Sequence, residues 1–236
     1  MKKIIYITLA FIFTFMICGC ENTGEYEFQD LEMLNNVINT ELDNFTCICI
    51  SSMIINVGKD EKKVDMELKT SVQDNKTYVS IKMQEDTIDV YEEKKDSIIT
   101  SYIRLNNNEW SEPVKINVSR LENQLGILEF GQVDEKMFHY IEGVWIGNTK
   151  ELEQLLNQDL MVFVKAIVKD EGMTIDDVFL KRFDIEIGYS KLKRQIIEVE
   201  FIGKYQDDDY FGVAKYIYNY SKIGNTIIKK PQGIKE

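Results

Sequence analysis

The sequence predicts an α+β protein with helices packed on one side of a long, curved antiparallel sheet. Apolar and polar residues alternate at period two through most of 45–105 and 183–221, which is typical of strands with one buried face. Segments with helical periodicity precede and separate these two regions. Because strands and helices do not alternate regularly along the chain, a parallel sheet is not expected.

The first helix is expected behind Asp30, a suitable N-cap residue, where leucine and isoleucine recur at three- and four-residue steps through 31–42. From Phe45 the period changes to two. Five strands are expected between clusters of Gly, Asp, Asn or Lys, at 45–57, 63–72, 76–83, 88–92 and 98–105. Five consecutive strands predict an antiparallel meander.

Two further helices are expected after the meander. Residues 119–128 have a capping-box spacing followed by leucines at helical steps, although a polar turn is an alternative. A longer helix is expected to begin at Asn148 or Thr149 and to end before Gly172. Its second half is apolar almost all round, so we expect it to lie against a sheet face.

At least four strands are expected in the last part of the chain. Alternation predicts strands around 183–187, 197–201 and 213–221, and a short final one at 226–229. Four acidic residues in these strands are interpreted as a solvated sheet face: Asp184, Glu186, Glu198 and Glu200. In the strand at 213–221, a stripe of tyrosines at period two is expected to pack on neighbouring strands.

The first nineteen residues have the layout of a bacterial export signal. Lys2 and Lys3 precede an apolar run from Ile4 to Ile17. As a helix this run reaches only about 21 Å, which is short of the roughly 30 Å hydrocarbon core of a membrane, so cleavage is favoured over a permanent span.

The four residues that end at Cys20 resemble the bacterial lipobox, in which the cysteine receives a diacylglyceryl group. We therefore expect a signal peptide at 1–19, a lipid-anchored tether at 20–27 and a single domain at 28–236. Two acyl chains anchor a protein stably where one binds reversibly. The expected location is the outer face of the cell membrane, and the abundance of Lys, Ile and Asn favours a Gram-positive bacterium.

The charge of the chain argues against nucleic acid as a partner. The formal net charge is −12, and loss of Lys2 and Lys3 with the signal takes it to about −14. Affinity for a phosphate backbone comes largely from Lys and Arg, so an acidic body is repelled by it. The same charge disfavours contact with an anionic bilayer surface, so the acyl chains must hold the protein at the membrane without a patch of Lys and Arg.

The sequence does not predict an enzyme, a cofactor or a metal site. His139 is the only histidine, and nothing beside it identifies a nucleophile. Cys47 and Cys49 are two apart in a predicted strand, so both point to one face, which suits neither a relaxed disulfide nor a zinc site. We interpret them as small core residues.

The segment from Tyr216 to Thr226, which continues to Pro231, resembles the closing strands of lipoproteins related to LolA, LppX and LprG. The segments at 76–83, 102–110 and 141–145 fit the same pattern of strand lengths and aromatic positions. This resemblance implies a curved antiparallel half-barrel of about nine strands packed around a few helices. It also implies non-catalytic binding or carriage of a lipid or another amphiphile in the cell envelope.

No ligand residue transfers from those proteins, so alternation alone selects the candidate apolar cavity residues. They are Val79, Ile81, Met83, Phe183, Ile185, Ile187, Ile197, Val199 and Phe201. The alternative role for each of these residues is core packing under the helices. The alternative function is a surface or regulatory lipoprotein that binds an envelope protein and has no ligand cavity.

Overall fold

One antiparallel sheet of eleven strands dominates the computed structural model, which describes residues 31–38, 44–117, 133–167, 173–189, 191–205 and 208–234. The strands are β1 (Asn44–Val57), β2 (Asp60–Gln73), β3 (Lys76–Met83), β4 (Asp86–Lys95), β5 (Ile98–Leu105), β6 (Val114–Asn117), β7 (Phe138–Ile141), β8 (Val144–Gly147), β9 (Met173–Gly188), β10 (Lys191–Tyr205) and β11 (Asp208–Ser221). The described helices are α1 (Leu31–Ile38) and α2 (Thr149–Ile167).

The sheet consists of two meanders joined by its first and last strands. Its order is β6-β5-β4-β3-β2-β1-β11-β10-β9-β8-β7. β1 and β11 pair along their length, from Thr46 opposite Ser221 to Val57 opposite Tyr210. β6 and β7 form the two edges, so the sheet is open.

Tight two-residue turns set the register of the first meander. The first turn residue has a positive φ in each of the four hairpins from β1 to β5, at Gly58, Asp74, Gln84 and Asp96. Such turns match the right-handed twist of paired strands. Each strand therefore returns beside the previous one, with its apolar residues on the same face.

The inner face of the sheet is the face that bears both helices, and β1 presents Cys47 and Cys49 there. The main core lies on this side and includes Leu34 of α1 and Leu152 of α2. α2 packs on β9. Asn148 caps this helix, because its side-chain Oδ1 accepts a hydrogen bond from the Lys150 amide at 3.3 Å.

Gly147 allows α2 to approach the sheet closely. A Cβ at this position would lie 2.4 Å from Leu152 Cδ1 and 2.7 Å from the carbonyl oxygen of Phe183. Any side chain here would displace either the helix or β9. The start of α2 is thereby fixed over the strand that carries Phe183.

The outer face is the opposite side of the sheet, and the C-terminal segment covers part of it. Ile228 packs with Tyr91 and Tyr102 in a second buried cluster. The side chains of two strand residues hold the segment through its backbone: Asn44 Oδ1 accepts from the Thr226 amide at 2.6 Å, and Gln73 Oε1 accepts from the Ile228 amide at 2.7 Å.

The prediction of a half-barrel with about nine strands around a few helices is wrong. The sheet is open and has eleven strands, and the described helices lie on one face of it. Strands β6, β7 and β8 have only four residues each, too few for alternation to reveal them. Alternation also identifies the faces of a strand without specifying how far a sheet curves or whether it closes.

The individual elements agree better with the predictions. The bounds of β3, β5 and the start of α2 are those expected, whereas β2, β4, β9 and β10 extend beyond their predicted segments. The short final strand predicted at 226–229 is wrong, because these residues form the irregular segment on the outer face. The helix predicted at 119–128 and the last four residues of the 31–42 helix lie outside the described residues.

Candidate functional site

A continuous row of side chains crosses the inner face. Strand pairing aligns one residue from each of ten strands: Tyr140, Trp145, Ile185, Gln195, Tyr218, Cys49, Leu68, Ile81, Ile88 and Leu105. We call this set the central row. Most of its members are apolar, and it joins the two meanders into one surface.

The predicted cavity residues lie on this face in two groups. Val79, Ile81 and Met83 are on β3, and the other six are on β9 and β10. β3 and β10 are four strand positions apart, or about 19 Å at the usual strand spacing. All of them except the half-buried Met83 belong to the main core. The shared face agrees with the prediction, and ligand contact remains a prediction.

Two polar atoms in the central row are buried without a hydrogen-bond partner in the structure: Trp145 Nε1 and Tyr218 Oη. Trp145 is 4% exposed and Tyr218 is 7% exposed. Their strands are three positions apart, or about 14 Å. Burial, with smaller contributions from the nearby Cys49, raises the pKa of Tyr218 well above its usual value, so the hydroxyl keeps its proton.

The thiols beside this tyrosine are both buried and free. Burial raises the pKa of Cys49 to about 12, although the nearby Tyr218 hydroxyl, which lies outside hydrogen-bonding geometry, opposes the change. The pKa of Cys47 is also raised by burial. Because only a thiolate is an effective nucleophile, these groups are unreactive at neutral pH, which agrees with the expected core role.

A buried carboxyl group occupies the inner face of the first meander. Glu92 of β4 lies between Thr77 of β3 and Ser101 of β5 in the pairing register. Glu92 is 5% exposed and Ser101 is 1% exposed. Burial raises the pKa of Glu92 to about 7, although the Ser101 hydroxyl opposes the change.

The outer face carries an ion pair beside Trp110, which packs on the cluster that contains Ile228. Arg104 donates to Asp89 Oδ2 from Nη2 at 2.6 Å and from Nε at 3.0 Å. The guanidinium carbon lies 4.8 Å from the ring centroid of Trp110. Asp89 is only 4% exposed, so this charge depends on Arg104 for its compensation.

The prediction that the acidic residues of β9 and β10 form a solvated face is wrong for Asp184. This carboxyl group is 4% exposed and pairs with Arg182 at 2.5 Å. Glu200 remains partly exposed and pairs with Lys181 at 3.0 Å. The first pair lies within β9, whereas the second joins β9 to β10, so ion pairs within and between strands organise this part of the outer face.

Signals for other site chemistry are limited in the described ranges. No group of three or more His, Cys, Asp or Glu side chains there is arranged to hold a metal ion. No described helix has the length and hydropathy of a membrane span. His139 is an exposed residue of the edge strand β7. Cys20 lies outside the described residues, so its lipidation remains a prediction.

Sequence reasoning missed the polar groups of this site. The signal for Glu92 was available, because alternation with Ile88 and Val90 places its side chain on the apolar face. The relation between Trp145 and Tyr218 had no local signal. It depends on the pairing of four strands whose residues are far apart in sequence.

Comparisons with known proteins identify no family for this chain. No family model and no curated protein matches it. A DUF1329 family protein from Desulfovibrio piger is similar at a TM-score of 0.28 and 10% identity, over 75% of this chain and 86% of that chain. The ywiB protein from Bacillus subtilis is similar at 0.25 and 5% identity, over 76% and 94%. Both scores are too low to define a shared fold.

Proposed function

We propose that this chain is a non-catalytic envelope protein, anchored through lipidated Cys20, that binds a lipid or another amphiphile against the inner face. The observation that carries the proposal is the pair of unpartnered donors, Trp145 Nε1 and Tyr218 Oη, within the apolar central row. Sites for such ligands are apolar surfaces with a few polar groups that fix orientation.

The free energy of those two donors supports a ligand with hydrogen-bond acceptors. A buried polar group without a partner costs about 1–3 kcal/mol. A ligand that brings acceptors to both donors recovers this cost and gains apolar contact between them. Ester or amide carbonyl groups attached to alkyl chains have this chemistry, because one molecule then presents acceptors along an apolar body.

The proposed anchor follows from the layout of residues 1–20. The charged start, the short apolar run and the terminal Cys20 favour lipidation over a membrane span. An anchored domain with an apolar inner face is suited to take up an amphiphile from the adjacent bilayer. The buried, protonated thiols of Cys47 and Cys49 support a non-catalytic role for that face.

Native mass spectrometry tests the binding proposal. A chain that starts at Glu21 is purified without detergent and sprayed from a volatile buffer. We expect a second series of peaks at the mass of the protein plus ligand. Collisional activation should release the ligand and return this series to the mass of the protein alone. A single apo mass, together with no uptake of a brominated phospholipid that quenches Trp145 fluorescence, would end the proposal. The matched control is a Trp145→Phe variant, which leaves Trp110 as the remaining fluorophore.

A second candidate function is protein binding through a sheet edge. The edge strand β7 exposes Ile141, and the opposite edge strand β6 exposes Val114; their exposed fractions are 47% and 49%. Edge strands with apolar side chains can accept an added strand. Charge insertion at Ile141→Lys would remove a partner bound at this edge while leaving amphiphile uptake unchanged.

A further inference from the structure

The carboxyl group of Glu92, on the inner face of the first meander, has no cationic side chain beside it among the described residues. Glu92 is buried between Thr77 and Ser101, and no ion pair to it occurs in the described ranges. Lys94 is the next inner-face residue on β4, but its side chain is exposed near the turn. An uncompensated buried carboxylate is unusual in a folded protein.

Ser101, which lies opposite Glu92, supplies a second observation. It is almost completely buried, and its Oγ makes no hydrogen bond of ordinary geometry. This hydroxyl faces Glu92 across the β4 and β5 pair. The carboxyl group and the hydroxyl therefore form a small polar patch with unused hydrogen-bonding capacity. The buried Val90 and Ile99 lie two residues away on the same strands.

The chemistry of this patch selects the head group that would fit it. An anionic head group is repelled by the carboxylate and by a chain whose net charge is −12. A hydroxyl head group can donate to Glu92 but leaves its charge in place. An ammonium group neutralises the carboxylate and donates hydrogen bonds to both Glu92 and Ser101 Oγ. The hydrogen bond to the carboxylate is charge-assisted and therefore strong.

We propose that Glu92 and Ser101 form a head-group subsite that selects amphiphiles with a primary amine. This inference rests on the proposed binding of an amphiphile to the inner face. The subsite lies on the first meander, whereas the donors Trp145 and Tyr218 lie on β8 and β11, so the two sites take different parts of a ligand. The amine is held at Glu92, and the acceptors of the ligand face the other two residues.

Photolabelling of the full chain tests the subsite. The lipidated protein is placed in phosphatidylcholine nanodiscs at about pH 8, where Glu92 is ionised. Three probes share one photoreactive alkyl chain and carry an amine, an alcohol or a carboxylate as head group. The concentration for half-maximal labelling is read by peptide mass spectrometry. We expect the amine probe to label inner-face peptides at a concentration about tenfold lower than the carboxylate probe.

Variants separate the head-group effect from general binding. Glu92→Gln should raise the half-maximal amine concentration about tenfold and leave the alcohol probe unchanged, and Ser101→Ala should raise it about threefold. Glu67→Gln, which removes an exposed carboxylate of β2, is the matched control and should change nothing. Thermal unfolding of each variant checks that it is folded.

The outcomes distinguish this inference from the proposed function. Equal labelling by all three probes, unchanged in Glu92→Gln, would overturn the subsite and leave amphiphile binding intact. Failure of every probe to label the inner-face peptides would overturn both. If Glu92→Gln does not fold, the Ser101→Ala variant and the wild-type order of the three probes decide the question.

Discussion

Trp145 and Tyr218 lie in the same row of inner-face side chains, three strands apart, and the polar atom of each is buried without a partner among the described residues. Folding has therefore removed two donors from water without replacing their hydrogen bonds. Proteins tolerate few such groups, and each one calls for an explanation. A ligand that supplies the acceptors is the explanation that the proposed function offers.

Replacement of the unpartnered hydroxyl should not cost stability. Tyr218→Phe is expected to leave the free energy of unfolding of the ligand-free protein unchanged or to raise it by about 1 kcal/mol, because a desolvated donor is removed. Tyr210→Phe is the control: its hydroxyl donates to the Thr174 carbonyl oxygen at 2.9 Å, so its loss should cost about 1 kcal/mol. Urea unfolding of the delipidated proteins measures both. A large loss in Tyr218→Phe would mean that its hydroxyl has a partner.

A turn residue offers a test of the strand register. Gln84 joins β3 to β4 with a φ of 55°, a conformation that is costly for a side chain and free for glycine. Gln84→Gly should raise the free energy of unfolding by about 0.5–1 kcal/mol. At Glu85 the backbone does not have a positive φ, so Glu85→Gly should lower it by a similar amount. Equal effects from the two variants would contradict the turn geometry.

Local patterns predicted the strands well and the sheet poorly, for one physical reason. Lys76–Met83 and Ile98–Leu105 were predicted with their observed bounds, because alternation and turn residues are encoded within a few positions. The pairing of β1 with β11 joins residues far apart in sequence and leaves no local signal. The open eleven-stranded sheet depends on that pairing, and on four-residue strands such as Phe138–Ile141.

The same limit applies to the candidate site. The apolar members were found because period two assigns them to one face, and burial agrees for eight of the nine. Their division into two groups could not be predicted, since it depends on strand order. The prediction of a strand at 226–229 is wrong for a related reason. The side chains of Asn44 and Gln73, and not a neighbouring strand, accept hydrogen bonds from the amides of Thr226 and Ile228.

The ion pair of Arg104 with the buried Asp89 should contribute more to the free energy of unfolding than an ion pair on the open surface. Arg104→Met leaves Asp89 buried and uncompensated, so we expect a loss of about 3 kcal/mol in the free energy of unfolding. Adding Asp89→Leu should recover much of this loss. The surface pair of Lys63 with Asp65 is the control, and Lys63→Met should have little effect. Equal losses at both pairs would show that burial of Asp89 is unimportant.

The anchor has a direct chemical test. Cys20→Ser should abolish incorporation of radioactive palmitate into the chain and release the protein from the membrane fraction, because the proposed diacylglyceryl group would be attached through this sulfur. Cys18→Ser is the matched control and should leave labelling unchanged, since the proposed cleavage before Cys20 removes this residue. A Cys20→Ser chain that still incorporated label would contradict the lipoprotein assignment.

The buried carboxyl group predicts an inverted dependence of stability on pH. The pKa of Glu92 is about 7 in the folded protein, against a usual value of 4.5. Between these values the unfolded chain loses the proton first, so ionisation favours unfolding. The contribution of Glu92 to the free energy of unfolding should therefore fall by about 3 kcal/mol as pH rises from 4.5 to 7, and then stay constant.

Comparison with the uncharged variant isolates this effect from the many other acidic groups. The free energy of unfolding of Glu92→Gln minus that of the wild type, measured with urea at a series of pH values, should rise across this window and then level off. Glu67→Gln, on the exposed outer face of β2, should give a flat difference. A flat difference for Glu92→Gln as well would mean that its carboxyl group is solvated or paired. An amine ligand bound at Glu92 should reduce the rise, because it favours the ionised form in the folded state.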